Sequence, residues 1–164
     1  MDKINKILIG THNEGKFNEL SFLLPSAVEK ISPKKFNLGI PVENGETFEE
    51  NSEIKAEFFC KKTNIITLSD DSGLEIESLN GDPGILSSRW ADKYGGFDKA
   101  MFEILTRVRN AKRGNKARFV CSLTIQWPDG KKITERGSIE GNIVEKRGNN
   151  GFGYDPIFIP KNSR

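Results

Sequence analysis

The spacing of apolar and polar residues predicts alternating strands and helices along the chain. A short apolar run at residues 6–10 is typical of a buried strand, and apolar residues at helical spacing follow it over residues 14–24. A Thr-x-x-Glu capping box at Thr47 precedes a stretch without glycine or proline that reaches Lys62, which predicts a second helix. The run at residues 65–69 predicts another buried strand.

The second half of the chain continues this mixture and adds a hairpin. Residues 74–79 alternate as in a half-buried strand, residues 81–84 (GDPG) are typical of a turn, and residues 98–109 have a helical period. Two long strands are predicted at 117–127 and 131–141, joined by a Pro-Asp-Gly turn. Crossover units combined with a hairpin indicate an α/β domain with a mixed sheet.

Length and composition narrow the class of protein. A chain of 164 residues predicts one domain over residues 1–164. The 25 basic and 23 acidic residues give a net charge of +2, which indicates neither nucleic-acid binding nor membrane binding. No apolar run approaches the roughly 18 residues of a membrane-spanning helix. Cys60, Cys121 and His12 have no zinc-site spacing, and two distant cysteines fit a reducing cytoplasm.

A loop between the first predicted strand and helix is the first candidate binding site. In GTHNEGKF, residues 10–17, backbone N–H groups at a helix start favour an anion, and Lys16 adds a positive charge. The alternative is an ordinary loop with a solvated lysine. The letters also match the G-x-x-x-x-G-K phosphate loop of nucleoside triphosphatases. That mechanism needs Ser or Thr after the lysine to hold Mg²⁺, and Phe17 has no oxygen to offer.

Two polar side chains fall on the apolar face of the predicted second helix. Asn51 and Lys55 share a sector with three aromatic residues, Phe48, Phe58 and Phe59. Burying them without partners would cost on the order of several kcal/mol. Lys55 therefore either extends past the aromatic rings to water or meets an anionic partner, and a nearby phosphate site favours an anionic ligand.

Two adjacent aspartates follow the predicted strand at 65–69. Asp70 and Asp71 would point to opposite faces of an extended segment, but Ser72-Gly73 predicts a turn that brings both carboxylates to one cleft. Two carboxylates this close raise each other's proton affinity, and a divalent cation between them favours the charged form again. Oxygen ligands favour Mg²⁺ held by one or two carboxylates plus substrate phosphates. The alternative is a capped turn, because Asp-Ser-Gly is ordinary turn chemistry.

Glycine-flanked aromatic residues mark a third candidate site. In NNGFGYDP, residues 149–156, Phe152 would be exposed on a bend with Tyr154 and Asp155 close by. An aromatic face and a carboxylate suit a purine base, which needs stacking and hydrogen bonds at its edge. The alternative is a glycine-rich turn leading into a strand.

Taken in order, these motifs resemble those of the non-canonical purine nucleoside triphosphate pyrophosphatases, the inosine triphosphate pyrophosphatase family. They are THNEGK, ETFEEN with Lys55, SDDSG, GDPGILSSRWA and GFGYDPIF, and they cover nearly the whole chain. The resemblance implies an α/β fold with a long mixed sheet, two lobes enclosing a cleft, and a homodimer. It also implies Mg²⁺-dependent hydrolysis of ITP, dITP and XTP to the monophosphate and pyrophosphate, which would clear deaminated purines from the nucleotide pool.

The resemblance implies roles for individual residues. The triphosphate loop matches Thr11, His12, Asn13, Glu14, Gly15 and Lys16, the helix motif matches Asn51 and the phosphate-binding Lys55, and the base pocket matches Phe152, Gly153, Tyr154 and Asp155. The proton acceptor and metal ligand matches Asp71, with Asp70 beside it, Ser72 on the substrate and Glu43 as a second metal ligand. Arg89 matches a family arginine to which we assign no role.

Two departures from the family pattern bear on substrate binding. His12 replaces the usual glycine of the first loop, so a positive φ at this position would be strained. The chain stops at residue 164, before the C-terminal helix and the Ser-His-Arg motif with which the family completes its base pocket. We expect base discrimination to be the part of the function most affected.

Three hypotheses follow, each with its own product. In the first, Asp71 and Glu43 hold Mg²⁺ on the triphosphate, the Asp70-Asp71 pair accepts a proton from water attacking the α-phosphorus, and Lys16 and Lys55 stabilise the developing charge. This pyrophosphatase releases pyrophosphate. The second is a nucleotide-binding module without catalysis, which forms no product. The third is a phosphate-loop triphosphatase, which Phe17 disfavours and which would release inorganic phosphate.

Overall fold

A six-stranded sheet organises the fold. The computed structural model describes residues 3–148 and 153–162. In chain order the strands are β1 (Lys6–Ile9), β2 (Glu29–Ile31), β3 (Thr67–Ile76), β4 (Lys116–Gln126), β5 (Lys132–Ile143) and β6 (Phe158–Pro160). Their order across the sheet is β2-β1-β3-β4-β5-β6. Because β1 is parallel to β2 and β3 whereas β5 is antiparallel to β6, the predicted mixed sheet is confirmed.

Four α-helices connect these strands in the part of the chain that the structure describes. They are α1 (Glu14–Phe22), α2 (Phe48–Thr63), α3 (Ser87–Tyr94) and α4 (Phe97–Ala111). The predicted start of α2 is confirmed, because the Thr47 hydroxyl accepts the N–H of Glu50 at 3.0 Å. The Glu50 carboxylate accepts the N–H of Glu46, at 2.7 Å, rather than that of Thr47. Helices between parallel strands confirm the predicted α/β class.

Helix α3 is the one helix that the apolar pattern does not predict. Its eight residues are too few to display a helical period, although it buries Trp90 and Ala91. The predicted hairpin is confirmed, since β4 and β5 are neighbours joined by a turn in which the Gly130 N–H donates to the Trp127 carbonyl at 3.0 Å. Among residues 3–148 and 153–162, no helix is long and apolar enough to cross a bilayer.

Strand β3 differs from its prediction. The sequence predicts two strands separated by a turn at Ser72-Gly73, but the structure has one strand from Thr67 to Ile76, and a short 3-10 helix follows it. The turn prediction is wrong because serine and glycine also tolerate extended backbone, and Leu74 and Ile76 are fully buried, which holds the segment in the sheet. Alternation along this strand places Asp70 and Asp71 on opposite faces.

The chain divides into two compact units, which we call the first and second units. The first unit extends to Asp71 and includes Ser122–Arg136. Its core lies on both faces of β1. Ile7 and Ile9 pack with Leu20 of α1, while Leu8, on the opposite face, packs with Phe59 of α2. A strand covered on both faces is apolar at successive positions, which explains the uninterrupted run that predicted β1.

The second unit comprises Ser72–Cys121 and the chain from Gly137 onward. Its core joins the C-terminal half of β3 to α3, α4 and the segment around β6. The buried residues of this core are Leu74, Ile76, Trp90, Ala100, Met101, Ile104, Ala117, Ile143, Tyr154, Ile157 and Phe158. Strands β3, β4 and β5 contribute residues to both units. The single domain over residues 1–164 stays a prediction.

Buried hydroxyl groups fix helix α2 to the sheet within the first unit. The Ser52 hydroxyl lies 2.9 Å from that of Ser122 and 2.8 Å from that of Thr124. Thr124 is in turn 2.9 Å from the Thr134 hydroxyl, which donates to a carboxylate oxygen of Glu53. Ser52, Ser122 and Thr124 are fully buried, so these bonds satisfy groups that water cannot reach. The network therefore sets the position of the helix that carries Asn51 and Lys55.

Candidate active site

The loop after β1 places polar groups at the start of α1, as predicted. Asn13 is the N-cap of the helix, and its side-chain oxygen accepts the N–H of Lys16 at 2.9 Å. The Asn13 N–H donates to the Thr11 hydroxyl at 3.1 Å. Glu14 and Gly15 follow in the exposed first turn. The loop is thus held by its own polar side chains, and its exposed helix start can accept an anion.

Gly10 and His12 shape the same loop. A Cβ atom at Gly10 would overlap the Ser69 hydroxyl and would lie 2.8 Å from the Phe59 ring, so only glycine fits between β1 and its neighbours. His12 contacts the edge of the Phe59 ring, with centroids 5.9 Å apart. Of the described residues, five non-glycine residues have a positive φ and His12 is not among them. The histidine that replaces the family glycine is therefore free of the backbone strain considered above.

Lys16 and Asp70 form a buried ion pair. Lys16 Nζ lies 2.9 Å from Asp70 Oδ2, and the two side chains are 15% and 3% exposed. Parallel pairing of β1 with β3 explains the contact, because Ile9 lies beside Leu68, so the loop that follows β1 runs past the next residues of β3, which include Asp70. The predicted phosphate-loop lysine thus already has a carboxylate partner.

Asp71 lies among the polar residues of α2 and the loop before it. Burial raises the pKa of Asp71 from its ordinary value of 3.8 to about 7. Lys55 and a hydrogen bond from Asn51 oppose the rise, whereas the negative charges of Glu43 and Asp70 add to it. Among the described residues, Asp71 Oδ2 is buried and has no hydrogen-bond partner. Asp71 is thus a carboxyl group whose pKa is raised toward neutral pH, near the positive charge of Lys55.

Helix α2 presents Asn51 and Lys55 inward, as its pattern predicts. Asn51 is 2% exposed, and Lys55 Nζ lies 3.2 Å from Glu43 Oε1. Of the two alternatives for Lys55, the structure therefore shows the anionic partner, and that partner is a carboxylate of the protein itself. Glu43 lies on an irregular loop, residues 38–47, where no sequence pattern predicts its contact with the helix.

The donor set fits a hard divalent cation shared with a substrate. Asp71 and Glu43 offer only oxygen atoms, and they are close enough for the Glu43 charge to raise the Asp71 pKa. The described residues contain no group of three or more His, Cys, Asp or Glu side chains arranged to hold a metal. A cation bound here would complete its shell with water or phosphate oxygens, as Mg²⁺ does in nucleotide sites. The unpartnered Asp71 Oδ2 is the atom that such an ion would satisfy.

Residues predicted to bind the base belong to the second unit. Phe152 lies outside the described residues. The Tyr154 hydroxyl donates to the Ser87 carbonyl at 2.6 Å, and its ring meets the Phe97 ring edge-on with centroids 5.1 Å apart. The hydroxyl group and the ring of Tyr154 thus both have partners in the core of the second unit. Its predicted contact with a base stays a prediction. Gly153 and Asp155 flank it along the chain.

Ser72 and Arg89 are two further residues that the motifs single out. Ser72 is a half-buried residue of β3, directly after Asp71. Arg89 is an exposed residue of α3 in the second unit.

Gly45 is a site residue that the sequence analysis misses. Its N–H donates to the side-chain oxygen of Asn51 at 2.8 Å, which joins the loop carrying Glu43 to helix α2. The only sequence signal is the dipeptide Asn44-Gly45, which is typical of any turn. Its partner cannot be identified without the fold.

Comparison with known proteins identifies relatives along nearly the whole chain. A dITP/XTP pyrophosphatase from Zymomonas mobilis is 42% identical over 158 residues, which cover 94% of this chain and 76% of that protein. One from Brucella melitensis is 42% identical over 164 residues, covering 94% of this chain and 74% of that protein. The sequence profile of the Ham1 family matches residues 7–164.

Solved structures agree with the sequence relatives. A HAM1 protein from Coxiella burnetii superposes with a TM-score of 0.85 at 35% identity, over 94% of this chain and 81% of that one. A nucleoside-triphosphatase / dITP/XTP pyrophosphatase from Mycobacterium abscessus gives a TM-score of 0.81 at 36% identity, over 96% and 85% of the two chains. The family resemblance drawn from the motifs is confirmed: this chain belongs to the Ham1 family.

Proposed function

We propose that this protein hydrolyses purine nucleoside triphosphates of the ITP, dITP and XTP type to the monophosphate and pyrophosphate. Its relatives named dITP/XTP pyrophosphatase support the substrate class and the reaction. The structural observation that carries the proposal is Asp71, a half-buried residue whose Oδ2 is inaccessible to water and whose pKa is raised to about 7, near Lys55 and Glu43. A base with this pKa can take a proton from water at neutral pH and release it afterwards.

Asp71 and Glu43 are the residues that we propose to hold Mg²⁺. When bound with the substrate, Mg²⁺ supplies positive charge to the phosphate oxygens and makes water more acidic. Asp71 would accept the proton of the water that attacks the α-phosphorus. Asp70 differs from Asp71 in its surroundings, because Lys16 already neutralises it. We therefore assign proton transfer to Asp71 and give Asp70 the task of orienting Lys16.

Lys16 and Lys55 are proposed to bind the triphosphate. Carboxylates hold both ammonium groups in place before the substrate arrives: Asp70 and, at 4.0 Å, Glu19 for Lys16, and Glu43 for Lys55. An ammonium group has three N–H donors, and one that is already fixed loses little freedom when it binds a phosphate. The loop residues around Asn13 would add backbone N–H groups at the start of α1. Stabilisation of charge by such preorganised groups is usually the largest contribution to phosphoryl chemistry.

The remaining assignments rest on the family resemblance. These are base binding by Phe152, Gly153, Tyr154 and Asp155, substrate contact by Ser72, a homodimer, and a cytoplasmic location. A nucleotide-binding module without catalysis is the alternative that the same residues allow. It differs from the enzyme only in forming no product, so product analysis separates the two.

The test is a product assay with two substrates. The protein is incubated with Mg²⁺ and either dITP or dATP, and pyrophosphate and inorganic phosphate are counted separately. Pyrophosphate from dITP and little from dATP is the expected result, since rejection of a base that leaves a buried polar group unpaired can reach about 10⁴. Inorganic phosphate as the main product, or binding of dITP without any product, contradicts the proposal.

A further inference from the structure

The carboxamide of Asn51 lies between two parts of the first unit. Its Oδ1 accepts the N–H of Gly45 at 2.8 Å, and the side chain is close enough to the Asp71 carboxylate to lower the Asp71 pKa. The side chain is 2% exposed. One buried residue on a rigid helix therefore contacts two elements, namely the loop that carries Glu43 and the strand that carries Asp71.

Close approach of the loop to α2 depends on Gly45. A Cβ atom at this position would lie 2.7 Å from Asn51 Oδ1 and 2.7 Å from the Glu50 Cβ, which is closer than real Cβ contacts allow. The next residue reinforces the attachment, because the Glu46 N–H donates to the Glu50 carboxylate at 2.7 Å. Glu43 lies two residues before Gly45, so these bonds limit where its carboxylate can lie.

We propose that Asn51 is a positioning residue, which sets the Glu43 carboxylate against Asp71 through Gly45, and that it does not contact the nucleotide. This inference rests on the proposed Mg²⁺ role of Asp71 and Glu43. It also changes the assignment of Asn51, which the family resemblance places among the substrate-binding residues.

The physical reason is the strict geometry of the cation. Mg²⁺ requires ligand oxygens at about 2.0–2.1 Å in near-octahedral positions. Asp71 lies on a strand, which is rigid, but Glu43 lies on the irregular loop 38–47, so its position depends on anchors. The part-buried bond from Gly45 to the buried Asn51 side chain is one anchor, and the Lys55–Glu43 ion pair, with Glu43 30% exposed, is another. An engaged, buried carboxamide has no surface to offer a phosphate.

The experiment compares three variants with the wild type. Asn51→Ala removes the bridge, Gly45→Ala forces the loop away while leaving every proposed catalytic group intact, and Gly39→Ala is the matched control. Gly39 lies on the same loop, and an added Cβ there meets nothing within 4 Å.

Hydrogen exchange of residues 38–47 reports the anchoring of the loop without metal or substrate. Mn²⁺ titration followed by electron paramagnetic resonance, with a non-hydrolysable dITP analogue present, reports the metal site, and steady-state kinetics with dITP completes the set.

We expect faster exchange of the loop and Mn²⁺ affinity lower by about tenfold or more in both Asn51→Ala and Gly45→Ala. Gly39→Ala should match the wild type in both measurements. At saturating metal, the KM for dITP should change less than twofold while kcat falls. Should Asn51→Ala fail to fold, Gly45→Ala alone decides, because it leaves Asn51 in place.

Two results would overturn the inference. Unchanged Mn²⁺ affinity in Gly45→Ala despite faster loop exchange would show that the loop position is irrelevant to the metal. A tenfold rise in KM in Asn51→Ala, with normal Mn²⁺ affinity, would make Asn51 a substrate contact. Failure of the wild type itself to bind Mn²⁺ with the analogue would instead refute the proposed metal role, on which the inference depends.

Discussion

Lys16 Nζ and Asp70 Oδ2 lie 2.9 Å apart and join the loop after β1 to strand β3. Asp70 is almost fully buried, whereas part of Lys16 remains accessible. The pair therefore holds the phosphate-loop lysine from its protein side. The buried Asp70 carboxylate needs Lys16 as its counter-ion, because a buried charge without a partner destabilises the folded protein.

Replacing Asp70 should destabilise the protein more than removing the whole pair. Asp70→Asn leaves a largely buried ammonium group without its carboxylate, and we expect the free energy of unfolding to fall by about 3 kcal/mol. Lys16→Met combined with Asp70→Asn should recover at least half of that loss. Urea denaturation at pH 7 measures both. A loss below about 0.5 kcal/mol for Asp70→Asn would mean that the pair behaves as a surface salt bridge.

Turnover should depend on the ionisable oxygen of Asp71. Asp71→Asn keeps the shape of the side chain but cannot accept a proton or bind a cation strongly, so we expect kcat for dITP to fall by about 10³ or more. Binding of a non-hydrolysable dITP analogue should remain measurable by calorimetry. Asp129→Asn, in the exposed hairpin turn, makes the same chemical change and should leave kcat unaltered. An active Asp71→Asn enzyme would remove Asp71 from the mechanism.

The raised pKa of Asp71 also predicts a pH-dependent stability. In the folded protein the pKa is about 7, above its ordinary value of 3.8, so the folded state binds the proton more tightly than the unfolded state does. The contribution of Asp71 to stability is therefore fully present below pH 3.8 and is lost as the pH rises through about 7. Asp71→Asn, which is always neutral, should be more stable than the wild type at pH 8, on the order of 2 kcal/mol.

Urea denaturation of both proteins in metal-free buffer from pH 5 to pH 8.5 checks this expectation. The difference between them should grow with pH and become constant above about pH 8. A difference that is constant over the whole range would show that Asp71 titrates near its ordinary pKa.

Local patterns predict much of the fold and of the candidate site. Helix α2 begins at Thr47 as its capping box indicates, and the inward face that holds Asn51 and Lys55 follows from helical spacing alone. Both predictions depend on residues that lie within a few positions of one another along the chain, so the local backbone geometry is enough to make them. The family motifs also name Glu43, Asn51 and Lys55, which lie near Asp71 in the structure, and the roles that the motifs imply for them stay predictions.

Contacts between distant residues could not be predicted in the same way. The ion pairs Lys16–Asp70 and Lys55–Glu43 depend on how strands and loops meet, which no local period encodes. The sequence Asp-Ser-Gly suits a turn in isolation, whereas in β3 the buried residues after it, Leu74 and Ile76, keep the backbone extended. The partner of the Tyr154 hydroxyl, Ser87, lies 67 positions away.

The hydroxyl group of Tyr154, as distinct from its ring, should contribute to stability and not to base selection. Tyr154→Phe keeps the ring against Phe97 but leaves the Ser87 carbonyl without its donor, so we expect a loss of about 1–2 kcal/mol in the free energy of unfolding. The ratio of kcat/KM for dITP over dATP should stay within twofold of the wild type. Tyr94→Phe, which removes the half-exposed bond from Arg107, is the control and should cost less. A changed substrate ratio in Tyr154→Phe would place its hydroxyl at the base.

The buried hydroxyl groups of Ser52, Ser122 and Thr124, which join α2 to the sheet, should contribute more to the free energy of unfolding than an exposed hydroxyl bond does. Ser52→Ala removes a hydroxyl that contacts both Ser122 and Thr124, and the Ser122 hydroxyl would then be buried without this partner. We expect the free energy of unfolding to fall by about 2 kcal/mol, because a buried unsatisfied group costs about 1–3 kcal/mol. Thr106→Ala is the matched control, since its hydroxyl bonds the Phe102 carbonyl on an exposed helix face, and its loss should stay below about 0.5 kcal/mol. Equal losses in the two variants would mean that water enters the network and replaces the missing hydroxyl.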